Sequence, residues 1–270
     1  MPPLEPVSPL EPISPVGETR IFKYKFGKMP KVVSSKTLRI ANVLKTLPPI
    51  PKAWISDCAI GMLIDDRMFG NDEWGNCVIA ERAHHTLRLE YSEQKKLINI
   101  SDNDVLNEYW KEGGATPSNP HPDSGLDMLS SLKSWRIGWR LDDKIYNIYA
   151  FGEINPLNHK EAMACAYLLN GADMGIMVPF SAIKQFEEMK TWDVVNPDGG
   201  LVSGHCIHIC GFNPQGMICV TWGRKVQMTW NFIDRYCDEL YGVVDNKDIW
   251  LPHSAVDVRK LNEYLKEVCK

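Results

Sequence analysis

Apolar positions recur at helical spacing through the first half of the chain's body, while β-forming runs and short alternations dominate the second. Ile79, Ala83 and Leu87 follow Cys77 on one helical face, which predicts a helix from Cys77 to about Gln94. Gly75 and Asn76 just before it suit a tight turn and an N-cap. Ser101 with Asp104 opens a second helix as a capping box. "GGATPSNPHPDSG", residues 113–125, reads as a long loop, after which Ser124 with Asp127 starts a third helix carrying Leu129, Leu132 and Trp135. From about residue 144 the texture changes. "KIYNIYAFGEI" is rich in β-formers, "NHKEAMACAYLLNG" has a helical period ending at Gly171, and "ADMGIMVP" reads as a strand. "HCIHICGF" and "MICVTWG" are strands joined by the turn "NPQG". "MTWNFIDRYCDEL" predicts an amphipathic helix capped by Thr229, "YGVV" a last strand, and "SAVDVRKLNEYLKEV" a closing helix capped by Ser254. The expected class is α+β, with a helical lobe over residues 53–143 and a β-rich lobe over residues 144–270.

The first 52 residues follow another rule. In "MPPLEPVSPLEPISPVG" prolines recur at every third position; Leu4, Val7, Leu10, Ile13 and Val16 fill the next register, and Glu and Ser the third. Polyproline II has three residues per turn, so the pattern predicts a rod with one proline, one apolar and one polar edge. Its apolar edge suits a groove on a protein partner or a neighbouring subunit. A disordered leader with an accidental hexapeptide duplication is the alternative. Residues 17 to about 52 read as a basic, extended continuation wrapping onto the body.

Composition narrows the function. Among 270 residues, 44% are hydrophobic, enough for a sizeable core, and 30 basic against 34 acidic side chains give no drive toward nucleic acid or an anionic membrane. No apolar run reaches a membrane span, and the N-terminus lacks the pattern of a signal peptide, so the expected setting is cytoplasmic. Eight cysteines spread thinly without a secretion signal are expected to be reduced.

The candidate chemistry centres on thiols and imidazoles. Cys77 in the first turn of a helix sits where unpaired N–H groups and the helix dipole favour a thiolate. A buried cysteine that merely begins the helix is the competing reading. His205 is either a base or a satisfied structural histidine. His84 and His85 read as packing or surface residues. In "HCIHIC", Cys206, His208 and Cys210 share one strand face. They span about 14 Å at about 3.4 Å per residue, too far for one tetrahedral ion, so neither metal nor other cofactor is expected.

The order of these motifs resembles the papain-like cysteine peptidase superfamily. "GNDEWGNC" is similar to that family's glutamine followed six positions later by the nucleophile, matching Asn71 and Cys77. "GHCIHICGFNPQGMICVTWG" resembles its histidine strand and the following strand ending in Asn-Ser-Trp-Gly. A closer likeness is to uncharacterised papain-like proteins of bacteriophages and bacteria, carrying Gly-Asn-Asp, Gly-Asp-Cys, Gly-Gly-His and Trp-Gly stretches. The resemblance covers roughly residues 60–245 and implies a two-lobed papain-like fold with Cys77 as nucleophile, His205 as base, and Asn71 with a backbone N–H of Cys77 at the oxyanion. The chain departs from the pattern in three ways. Asn71 is shorter than glutamine, Asn76 and Val78 stand where the relatives have aspartate and tryptophan, and Val220 falls where the family's histidine-orienting asparagine belongs. Thr221 is the nearest polar residue, yet adjacent strand residues face opposite ways, so Val220 is expected to leave His205 unoriented.

Two functions follow. One is a thiol-dependent hydrolase of the peptidase or amidase type acting on an amide bond in a peptide or cell-wall-like polymer, with carriage on a phage-particle-like assembly by residues 1–16 as a further expectation. The other is a non-catalytic structural or decoration subunit of a virion or other assembly.

Overall fold

The computed structural model describes residues 22–43, 49–56, 58–114, 123–245 and 257–268. Leu4, Val7, Leu10, Ile13 and Val16, the expected docking edge, lie outside them, as does Ser254.

The frame is a seven-stranded antiparallel sheet. Its spatial order is β4 (Ala150–Glu153), β9 (Cys237–Val244), β5 (Ala172–Pro179), β6 (Leu201–Asn213), β7 (Gly216–Thr221) and β8 (Arg224–Thr229), and β1 (Trp54–Ile55) pairs with β6 beyond this path. A separate hairpin joins β2 (Trp139–Leu141) to β3 (Lys144–Tyr146). Strand β6 is buried on both faces over most of its length, so both sets of alternating side chains in "HCIHICGF", the two histidines included, lie in the interior. Its two faces serve different cores. Ile207 and Ile209 join Met174, Ile176, Leu240 and Val244 in a core shared with α5 (His159–Leu168), α6 (Phe180–Glu187), α7 (Trp230–Tyr236) and α8 (Val258–Val268). Cys206 joins Tyr241 and Val243 in a second core with α1 (Cys58–Ile64), α2 (Cys77–Gln94), α3 (Asp102–Glu112) and α4 (Met128–Ile137).

Several elements match the sequence reading. Helix α2 has the expected bounds, and α3 carries the Ser101–Asp104 capping box. Others differ for identifiable reasons. Helix α4 is capped by Asp127, whose side chain accepts from Ser130 N–H at 2.8 Å; Ser124 plays no such part. The intervening residues are taken up elsewhere: Gly125 has φ +79°, and Leu126 N–H donates to Gly27 O at 2.8 Å. Thr229 caps α7 as expected, but the helix stops at Tyr236 and "CDEL" belongs to β9. Sheet pairing with β5 overrides the helical pattern there.

The second half of the wrap expected over residues 17–52 lies along the body: Arg39 bridges to Glu153, and Glu153 N–H donates to Leu38 O at 2.6 Å. The first half, residues 24–29, takes a course that the sequence did not announce. It threads between the turn before α2, the loop before α4 and the start of β6. Lys25 N–H donates to Asn71 O, Lys28 N–H to Gly204 O and Met29 N–H to Leu126 O.

Candidate functional site

Cys77 is the first residue of α2, at the point where the chain turns out of residues 69–76. That turn is held by side-chain amides. Asn76 Nδ2 donates to Phe69 O at 2.7 Å, and Asn71 Nδ2 donates to Trp74 O at 3.0 Å and to Asn76 Oδ1 at 3.1 Å. Asn76 therefore occupies the N-cap position without capping through its side chain. Asn71 spends both amide hydrogens bracing the turn, so an oxyanion role for it requires one of those bonds to be exchanged.

The Cys77 thiol rests on β6, where Cys206 N–H donates to Sγ at 3.4 Å. His205 is the residue before Cys206, so thiol and imidazole are anchored to successive residues of one strand. The His205 ring is clamped. Its Nε2 bonds Thr221 Oγ1 at 2.6 Å, and the Trp222 indole stacks on it with centroids 4.3 Å apart. This corrects the expectation built on Val220. In the β6–β7 register Val220 lies opposite His208, facing α2, and the period of two turns its neighbour Thr221 to the other face. His205, three residues from His208, is on that same face. Thr221 reaches it diagonally, a spacing that cross-strand side chains bridge.

A neutral imidazole that donates Nε2–H to the Thr221 hydroxyl has its lone pair at Nδ1, the form a general base needs. His205 Nδ1 has no hydrogen-bond partner among the described residues. The site is nonetheless closed to water: Cys77 is 1% exposed and His205 0%. The cover is the chain's own segment. Phe26 sets its edge on His205 with centroids 5.9 Å apart, Tyr24 stacks on Trp222 at 5.0 Å, and Trp222 Nε1–H donates to Lys25 O at 3.1 Å. The approach is so tight that a Cβ on Gly27 would lie 1.7 Å from Gly75 O.

Burial governs the electrostatics. It pushes the Cys77 thiol up to about 12, against the opposite pull of Cys206 N–H, the Lys28 ammonium, and the N–H groups of Cys77 and Gly27. It pulls His205 down to about 3. The covered state thus holds a neutral thiol and a neutral imidazole with no hydrogen bond between Cys77 Sγ and His205 Nδ1, not the ion pair a reactive thiol needs. Lys28 is itself buried and pairs with Asp238 and Glu239, each at 2.8 Å.

His84 and His85, expected as packing or surface residues, are both buried. His84 Nε2 lies 3.2 Å from Arg67 O, and burial lowers its basicity to about 3. Sequence reasoning set Thr221 aside as facing away from His205, and only the β6–β7 register shows that it is Thr221 and not Val220 that shares the face of His205. It also missed residues 24–29 as cover. Their only local signal is the aromatic spacing of Phe22, Tyr24 and Phe26, which equally fits a strand.

No family model matches the sequence, and no curated protein matches it. Solved structures do share the fold. Xylellain, a cysteine protease from Xylella fastidiosa, superposes with a TM-score of 0.63 at 13% identity, over 86% of this chain and 100% of that one. Procathepsin L 3 from the larval midgut of Tenebrio molitor gives 0.54 at 8% identity, over 77% of this chain and 76% of that one. The Carica candamarcensis cysteine protease CMS1MS2, in complex with E-64, gives 0.51 at 10% identity, over 73% of this chain and 100% of that one. At these identities the likeness shows the fold, which is papain-like.

Proposed function

We propose that this chain is a thiol hydrolase cleaving an amide bond, with Cys77 as nucleophile, His205 as its base and Thr221 as the group that orients the base. The observation that carries this reading is the 2.6 Å contact between His205 Nε2 and Thr221 Oγ1 beneath Trp222, because it supplies the orienting bond that Val220 cannot. In the reaction His205 Nδ1 takes the Sγ proton and the sulfur adds to the carbonyl carbon. The C–N bond then breaks as Nδ1 returns the proton to the departing amine, and water releases the acyl group from sulfur. The backbone N–H of Cys77 is the nearest candidate for the oxyanion, a contribution typically of about 3 to 4 kcal/mol per donor.

The covering segment indicates the substrate class. It is extended and bonds through its backbone to Asn71 O, Gly204 O and Leu126, groups equally suited to an extended peptide. The reading therefore includes withdrawal of residues 24–29 before reaction. A non-catalytic subunit would be favoured by an unoriented histidine, and the Thr221 contact removes that ground.

The test is the iodoacetamide alkylation rate of Cys77 against pH, read by mass spectrometry in the full chain, in Gly27→Ala and in Gly27→Ala/His205→Ala. The expected result is a slow thiol in the full chain and a fast one with a lowered apparent pKa in Gly27→Ala, slowed again when His205 is removed. If Cys77 in Gly27→Ala reacts no faster than the half-buried Cys237, the reading fails.

A further inference from the structure

Behind Cys77, where α2 crosses the sheet, a group of polar side chains lies in the interior without adequate partners. Glu81 and His85 come from successive turns of α2, Asp173 from β5 and His208 from β6. Their exposures are 5%, 0%, 1% and 0%. One contact is well made: His85 Nδ1 lies 2.6 Å from Asp173 Oδ1. The rest are not. His208 Nδ1 lies 3.4 Å from Glu81 Oε1 and 4.0 Å from Asp173 Oδ1. Neither ring nitrogen of His208 meets a hydrogen-bond partner among the described residues, nor do His85 Nε2, Glu81 Oε1 or Asp173 Oδ2. Each such buried group costs free energy of order 1 to 3 kcal/mol, so several converging on one point call for an explanation.

We propose that Glu81, His85, Asp173 and His208 form a structural site for one divalent transition-metal ion of the zinc type. One donor atom from each of the four lies within 4.8 Å of the others. Tetrahedral zinc with bonds of about 2.0 to 2.2 Å holds its donors about 3.3 Å apart, so side-chain adjustments of an ångström or so close the shell. Two imidazoles and two carboxylates form a nitrogen and oxygen set that suits zinc and disfavours magnesium or calcium, which take oxygen alone.

Charge points the same way, since one divalent cation neutralises the two carboxylates and leaves both imidazoles neutral. The nearby guanidinium groups bond to other carboxylates, although Arg82 also acts through space on Glu81 and Arg88 on His208. Arg82 bonds Glu112 Oε1 at 2.7 Å, and Arg88 pairs with Asp65. A cavity of about 10 Å³, close to the space of one water-sized sphere, abuts Glu81 and Asp173, with Arg82 and Cys206 also in its lining. This set is not the one a single strand offers: His208 takes part, whereas Cys206 and Cys210 are absent from the four. The fold supplies the other ligands from α2 and β5, which a reading along β6 cannot see. The consequence is positional. Glu81 is one turn beyond Cys77 and His208 is three residues beyond His205, so the ion would pin the nucleophile's helix to the base's strand. It does not depend on the hydrolase reading.

The experiment uses the full chain, stripped with a chelator and titrated with Zn²⁺ by calorimetry and with Co²⁺ by visible absorption. The expected result is one equivalent bound, raised thermal stability, and a tetrahedral cobalt spectrum lacking thiolate-to-cobalt charge transfer. Glu81→Gln and His208→Gln keep side-chain bulk while removing a ligand. Each is expected to weaken binding by about 100-fold or more, at least the loss seen when an outer-shell partner is removed. The wild-type cobalt spectrum stands even where a variant fails to fold. Absence of saturable binding, a thiolate band marking cysteine ligation, or unchanged affinity in folded Glu81→Gln would each overturn the proposal and leave the cluster closed by protons alone.

Discussion

Trp222 lies parallel to His205, with ring centroids 4.3 Å apart and planes 19° apart, and the same indole donates its Nε1–H to Lys25 O. One aromatic ring therefore does two jobs. It shields the bond between His205 and Thr221 from water, which strengthens that bond, and it anchors the segment that covers the site. The backbone at Trp222 has φ +44°, a left-handed conformation that costs free energy for a bulky residue and persists here inside the tight turn from β7 to β8. His205, Thr221 and the covering segment are thus coupled through one side chain.

Thr221→Val removes the hydroxyl while keeping the β-branched shape, and leaves His205 Nε2 buried without a partner. The expected cost is about 1 to 3 kcal/mol of stability, read as a lower urea midpoint. Thr221→Ser restores the hydroxyl and should recover most of the loss. In the Gly27→Ala background, Thr221→Val should also slow Cys77 alkylation near neutral pH, whereas a merely structural hydroxyl would leave that rate unchanged.

His205 gives a stability signature in acid. Its basicity is lowered to about 3 in the folded chain, below the ordinary histidine value of about 6.5, so the unfolded chain binds the extra proton first. Stability from keeping this ring neutral is full above pH about 6.5 and is lost as pH falls toward 3. Compared with His205→Gln, the wild type should lose about 1.4 kcal/mol more per pH unit across that window. Parallel stability curves for the two proteins would show that His205 is not the group responsible.

Gly27→Ala tests the cover directly. The added methyl would sit 1.7 Å from Gly75 O, a backbone atom that cannot swing away. Overpacking of this sort costs roughly 1 to 3 kcal/mol, enough to raise the open population by about 5- to 150-fold. Cys77 alkylation should rise by that factor, while in the wild type the rate climbs about tenfold per pH unit without a plateau below pH 10, as a thiol pushed up to about 12 requires. Equal rates in the two proteins would mean that residues 24–29 do not limit access.

The sequence carried much of the frame, because the signals for α2, α3, β5 and the β6–β7 hairpin are local: apolar spacing, a capping box, a turn. Motif order singled out Cys77 and His205, which the fold places at the start of α2 and on β6. What it could not carry depends on register and long-range pairing. Val220 and Thr221 are adjacent letters, and only the pairing of Val220 with His208 says which one faces His205. The helical pattern of "CDEL" is likewise overruled by β5, some 60 residues earlier in the chain. Residues 24–29 are ordinary extended sequence whose role follows from where their backbone lies, and Glu81, His85, Asp173 and His208 meet only after three elements pack together.

Lys28 holds the cover electrostatically, and its removal has a pH dependence with a definite sign. Its ammonium is fully buried between Asp238 and Glu239; burial pulls its basicity down, but the two carboxylates outweigh that and raise it above the ordinary lysine value. Glu239 is held above the usual carboxyl range by burial, with Lys28 pulling it back. Lys28→Met deletes that pull and leaves a buried carboxylate facing Asp238 and the Tyr241 hydroxyl, a defect of about 3 to 5 kcal/mol for a broken buried pair. A carboxyl whose folded value is raised contributes stability at low pH and loses it as pH rises through that value. The gap in urea midpoint between wild type and Lys28→Met should therefore be wide at pH 8 and narrow at pH 5, where Glu239 can take up a proton. Proteolytic nicking before residue 30 should follow the same trend. A gap independent of pH would mean that Lys28 acts by packing its methylenes rather than by charge.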